Sequence, residues 1–243
     1  MQISTKDWRT YVDMLSQLNE TAGRLMQEYI QKHGFGNTEA IVDYAYGLIT
    51  KYGEGSASLA AEMYDVTARL SGKVLPAAEV AETASYNEVS KAIQGTLKQS
   101  TNPNSCGGTV SRLVKQAGAD TTLKNAKRDG AQFAWVPSGD ACAFCIMLAS
   151  NGFQYVSKST LNGGHADHIH ANCNCTYTVR FDNESGVKGY DPDKYLEIYK
   201  NADGRSSDDK LNSIRRMQYQ DPATRDKINA QKRAAYAART EEQ

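Results

Sequence analysis

The chain has 243 residues, with 28 Lys and Arg against 28 Asp and Glu, so no net field draws it to nucleic acid or to an anionic membrane. Its length suffices to bury a sizeable core in one domain or two. The opening "MQISTKDWRTYV" lacks the basic-then-apolar pattern of a signal peptide and no apolar run reaches transmembrane length, so neither secretion nor a membrane contact is expected.

The first hundred residues read as helices. Trp8, Tyr11, Leu15, Leu18, Ala22, Leu25 and Tyr29 alternate three and four apart and form one stripe of a bundle helix. "HGFGN" ends it, with Asn37 or Thr38 as the next N-cap. Ile41, Tyr44, Leu48, Ile49 and Tyr52 mark a second helix, which "YGEGSAS" is expected to break. Ser56 or Ser58 then caps a third helix carrying Leu59, Met63, Val66 and Leu70. "SGKVLP" is a linker by composition, and a more polar helix is expected over 79–98.

"QSTNPNSCGG" is the clearest loop and the candidate domain boundary. Beyond it, "TVSRLVKQAG" and "TTLKNAKRDG" read as two short helices, each ended by a glycine. "FAWVP", "FQYVS" and "CTYTVRF" are aromatic and β-branched runs that read as strands, with helix-compatible "CAFCIMLAS" after the first. The expected fold is mainly α with a small α+β module. It comprises a helical docking region over 1–100, a Cys/His module with short antiparallel strands over 101–182, and a loop-rich, charged, partly helical tail over 183–243. Its last part, "SIRRMQYQDPATRDKINAQKRAAYAARTEEQ", has sparse apolar positions, reads alone as a frayed helix or disordered, and is expected to order on a partner.

Chemistry-bearing residues concentrate in the module. Cys142-x-x-Cys145 offers two sulfurs from one turn, and His170-x-x-Cys173-x-Cys175 offers a second group. Two such clusters suit a tetrahedral zinc ion. Five donors compete for four places. Neighbours two apart on a strand face opposite ways, so Cys142, Cys145, His170 and Cys175 are the first choice, with Cys173 the substitute. A disulfide between the clusters is the competing reading, and zinc is preferred because five cysteines without a secretion signal indicate reduced thiols. Cys106, outside both clusters, reads as an ordinary buried cysteine.

Three sulfurs favour a closed structural site over a catalytic one, which keeps a position open for water. The zinc deaminase pattern fails, because no His-x-Glu precedes the Cys-x-x-Cys. "ADHIHAN" resembles the Asp-His-Ile core of HNH nucleases, with His168 in the place of the general base. However, Asn172 follows without the loop that motif requires, so His165 and His168 are read as loop residues. Ser138 and Asp140 are read as turn residues in "PSGDA".

"FAWVPSGDACAFCIMLASNGFQYVS" followed by "HADHIHANCNCTYTV" closely resembles the minor capsid proteins of tailed phages, the Mu-F-like or head-morphogenesis family. "AIVDYAYGLITKYGEGSASLAAEMYDVTARL" resembles the N-terminal region of its Gram-positive phage branch, and "TTLKNAKRDG" the segment before the cysteines. The resemblance covers residues 36 to 182. It implies a minor structural protein of the phage head, made in the host cytoplasm and packaged in the virion interior. Its implied partners are the portal or the major capsid protein, with indirect contact to packaged DNA at most, and it implies a role in head morphogenesis or DNA delivery. No enzymatic activity and no small-molecule substrate are expected. The alternative is a metal-dependent hydrolase, an HNH-like nuclease or a capsid maturation protease, using the Cys/His cluster. No Ser-His-Asp, Ser-Lys or His-Glu-x-x-His arrangement supports the protease.

Overall fold

A computed structural model describes residues 2–138, 141–157, 169, 173–183, 185–223, 225–226 and 229–230. Its described part is mostly helical, with a small three-stranded antiparallel sheet. Two compact units emerge, one from Met1–Ser138 with Phe153–Tyr190, the other from Gly139–Gly152 with Asp191–Gln243.

In the first unit, α1 (Thr5–His33) starts where the Ser4 hydroxyl accepts the Asp7 N–H at 3.1 Å, with the Asp7 carboxylate complementing the helix dipole. Trp8, Tyr11, Leu15, Ala22, Met26 and Ile30 form its buried stripe, and Gly34 ends it at φ 70°. Asn37 caps α2 (Thr38–Leu70) by accepting the Ala40 N–H at 3.1 Å.

α2 runs unbroken for 33 residues through the expected break at "YGEGSAS". Gly53 is there for close approach: a Cβ on it would stand 2.8 Å from Thr83 Cγ2. The glycine costs helix propensity of about 1 kcal/mol, which tertiary packing outweighs.

The same reason joins the two short helices expected after residue 108 into α4 (Pro103–Arg128). Gly118 lies inside it, where a Cβ would meet Ser56 Oγ at 2.6 Å and the Ser56 carbonyl oxygen at 3.1 Å. At the other crossing a Cβ on Gly107 would stand 2.7 Å from the Gly23 carbonyl oxygen, and one on Gly23 2.4 Å from Ser111 Oγ. Backbones touch at both crossings. α4 is buried on nearly every side against α1 and α2, so the expected division near residue 100 falls inside this unit.

The helix expected over 79–98 starts seven residues late, as α3 (Tyr86–Gln99). The preceding segment is extended because side chains of α2 and α4 take its backbone groups. Ala78 N–H donates to Asp65 Oδ1 and Glu79 N–H to Asn125 Oδ1, both at 2.9 Å; Asn125 Nδ2 returns a bond to the Glu79 carbonyl at 2.8 Å. Ala81 N–H donates to Thr121 Oγ1 at 2.9 Å. A capping box between Ser85 and Glu88 then opens α3.

Three strands complete the unit: β1 (Gln132–Val136), β2 (Gln154–Tyr155) and β3 (Thr176–Arg180), in the order β2-β1-β3. β1 pairs with β3 in the register Phe133↔Val179, Trp135↔Tyr177, Val136↔Thr176. The Tyr177 ring meets Trp135 edge-on at 4.7 Å and Phe133 at 5.3 Å. Near the start of the chain, Ile3 bridges to Val187, its N–H donating to the Gly186 carbonyl at 2.8 Å. Ile3 and Val187 share a core with Trp8, Tyr11, Leu15 and Val136.

In the second unit, α5 (Ala143–Ala149), α6 (Pro192–Asn201) and α7 (Ser207–Gln220) pack together. Ala143, Ile146, Ala202, Leu211 and Ile214 form the core, flanked by Phe144, Met147, Tyr195, Ile198 and Tyr199. α7 runs from the loop-rich stretch into the charged segment expected to order on a partner, and is started by a capping box between Ser206 and Asp209. Its apolar residues are few but correctly spaced for one narrow face.

Two predictions follow from the first unit's packing. Gly107→Ala should destabilise it by about 1–3 kcal/mol through the backbone clash, while Gly47→Ala, with nothing within 4 Å, should be neutral or stabilising in the same urea melts. Asp129, its side chain 5 % exposed, is held below the usual carboxylate range first by the hydrogen bond from Arg128, and also accepts the buried Tyr64 hydroxyl at 2.9 Å. A lowered folded-state value means that its stabilisation is present above the ordinary carboxylate range and is lost as pH falls through it. Asp129→Asn should therefore cost about 1–2 kcal/mol at neutral pH and flatten the acid side of the stability profile.

Candidate metal centre

Each unit carries sulfur donors. In the first, the register Val136↔Thr176 sets the residues after β1 beside those before β3. Ser138 N–H consequently donates to Cys175 Sγ at 3.2 Å, with the Ser138 hydroxyl 3.8 Å from the same sulfur. Cys175 N–H donates to Cys173 Sγ at 3.4 Å. The two cysteines precede β3 in non-strand backbone, so the opposite-faces argument, which holds for a pleated strand, does not apply to them. Backbone N–H groups aimed at both sulfurs favour negative charge there, as a metal thiolate requires. Cys175 is fully buried and Cys173 half-buried.

In the second unit, Cys142 is the N-cap residue of α5 and Cys145 sits on its first turn. The spacing of three puts both on one side of the helix. Cys145 is buried and Cys142 exposed. Chemically, Cys145, Cys173 and Cys175 are sulfur donors that could hold a metal ion. Cys142 is not one of that set among the described residues. His170 lies outside the described residues, as do His165, His168, Asn172 and Asp140, so the nuclease-like string has no structural description here.

Cys106 behaves as its isolation in the sequence suggests. It is fully buried in the helical core with Met26, Ile49 and Val110, and burial pushes its thiol up, away from the reactive thiolate.

Two residues near the sulfurs carry no sequence signal. Ser138 reads as a turn residue, yet its N–H finds a sulfur through strand pairing. Lys115 looks like a solvated residue of a polar helix, yet it is 8 % exposed on α4, with its ammonium donating to the Cys173 carbonyl and lying 5.8 Å from the Trp135 ring centroid.

The model of the VG15 protein family matches residues 2–202. The chain belongs to that family. The VG15 assignment makes it a phage-encoded protein and spans every sulfur donor above, ending at Ala202, the C-cap of α6. No curated protein and no solved structure matches the chain. Among its described residues no helix is long and apolar enough to cross a membrane.

Thiol labelling of the native protein should modify Cys142 early and leave Cys106 untouched until denaturant is added, as peptide mass mapping would read. Early modification of Cys106 would contradict its place in the helical core.

Proposed function

We propose that this protein is a minor structural component of a tailed-phage head, associated with the portal or the capsid interior, and stapled by a structural zinc ion. The carrying observation is the sulfur-rich donor set, Cys145, Cys173 and Cys175, in a member of a phage protein family. Three thiolates saturate most of a tetrahedral zinc, which suits a closed site that holds structure. The fourth donor is His170 or Cys142. No catalytic role is assigned to any residue.

The resemblance of the cysteine-bearing stretches to Mu-F-like minor capsid proteins supports the placement in the head. A role in head morphogenesis or DNA delivery fits that placement, with the portal or major capsid protein as the protein partner. The helical surfaces of the first unit are proposed to dock there.

Metal analysis of freshly reduced protein should find one zinc per chain, and a chelator should lower the melting temperature. Cys175→Ser should lose the metal and the chelator response, whereas His168→Ala should keep both. Absence of zinc from the reduced protein would sink the staple. Absence of the chain from purified heads would sink the placement. A nuclease activity abolished in well-folded His168→Ala protein would favour the hydrolase instead.

A further inference from the structure

Hydroxyl groups gather where β3 packs on the helices of the first unit. Tyr11 of α1, Tyr64 and Thr67 of α2, Thr122 of α4 and Thr178 of β3 line one small cavity of about 10 Å³. All five residues are buried. Three of their hydroxyls have the proton committed elsewhere. Tyr64 donates to Asp129 at 2.9 Å, Thr67 to the Met63 carbonyl at 2.7 Å, and Thr122 to the Gly118 carbonyl at 3.2 Å. Each of these oxygens keeps a lone pair that can accept. The Thr178 hydroxyl differs. It is fully buried and has no hydrogen-bond partner among the described residues.

An unpaired buried hydroxyl is unfavourable, and native interiors seldom leave one without a protein or water partner. β3 is also an outer strand of the sheet, so alternate backbone groups along it have no ladder partner. Cavities walled by apolar groups stay dry, whereas polar ones hold water that makes about three hydrogen bonds. The space beside Thr178 matches about one water-sized sphere.

We propose that this cavity is the binding site of a single structural water, held by the Thr178 hydroxyl and shared between β3 and the helices. The Thr178 O–H donates to the water oxygen. The protons of the water go to the helix side, where the oxygens of Tyr64, Thr67 and Thr122 offer lone pairs, so donors and acceptors balance. The water thereby ties β3 to α2 and α4. It is independent of any metal, because no cysteine lines the cavity.

Thr178→Val nearly keeps the side-chain shape and removes the hydroxyl, while Thr178→Ser keeps the hydroxyl. Oxygen-17 relaxation dispersion on the full-length protein counts the waters that stay bound long enough to tumble with it. Thr178→Val should hold one long-lived water fewer than wild type, and Thr178→Ser the same number. In wild type, water-selective NMR should show direct cross-relaxation between a bound water and the Thr178 methyl group. Urea melts separate the two cases by sign. With a water in place, Thr178→Val removes one of its partners, and the urea midpoint should fall below wild type. In a dry cavity, valine would replace an unsatisfied hydroxyl and the midpoint would rise.

An unchanged count of long-lived waters in folded Thr178→Val, or a raised urea midpoint, would overturn the site. Should Thr178→Val fail to fold, the wild-type cross-relaxation decides: its presence supports the water and its absence removes it.

Discussion

Close contact between helix backbones is the constraint on which the first unit depends. α4 meets α1 through Gly23 and Gly107, and meets α2 through Ser56 and Gly118. Approach at this range leaves no space for a Cβ at Gly23, Gly107 or Gly118, which restricts the freedom to slide one helix along another. With α4 locked in this way, every group on it has a fixed address. Asn125 and Thr121 reach the extended segment before α3, Val110 and Val114 fill the helical core, and Lys115 meets the cysteine turn.

The sheet uses that platform to aim sulfur. β1 and β3 are only five residues each, but their register decides which residues beyond the strand ends become neighbours. One step of slip would exchange the two faces and move Trp135 and Tyr177 out of contact. It would also move the Ser138 N–H away from Cys175. The aromatic pair therefore guards the register on which the sulfur environment depends, a link between packing and chemistry.

Much of this was legible in the sequence, and the rest failed for identifiable reasons. The stripe from Trp8 to Tyr29 predicts α1, and the β-branched and aromatic runs predict all three strands, because each pattern has one physical meaning. Glycine has two. At Gly34 it ends a helix in left-handed backbone, while at Gly53 and Gly118 it allows neighbours to approach inside helices. Nothing local distinguishes these uses. The late start of α3 is likewise invisible, because the groups that hold residues 78–81 extended belong to α2 and α4. The cysteine clusters stand out by crowding alone. Lys115 and Ser138 do not, since their significance comes from a helix address and a strand register that exist only after folding. The packing of α7 is hard to read from sequence, because a narrow apolar face on a charged helix resembles a solvated segment until its partners are known.

The bridge between Ile3 and Val187 has a consequence for how the chain reaches this structure. Its two halves are separated by nearly the whole of the first unit, and the core beneath it joins Trp8 and Tyr11 to Val136 and Val187. While the chain emerges from the ribosome, the long helices can form and pair, but the residues before α1 have no complete binding site until residue 188 is outside. Closing so long a loop comes late and is slow relative to helix pairing. The residues ahead of α1 are thus among the last of this unit to settle. An intermediate with the helical core built and this seam open would expose Ile3, Trp8 and Val136 together, a hazard for aggregation during synthesis.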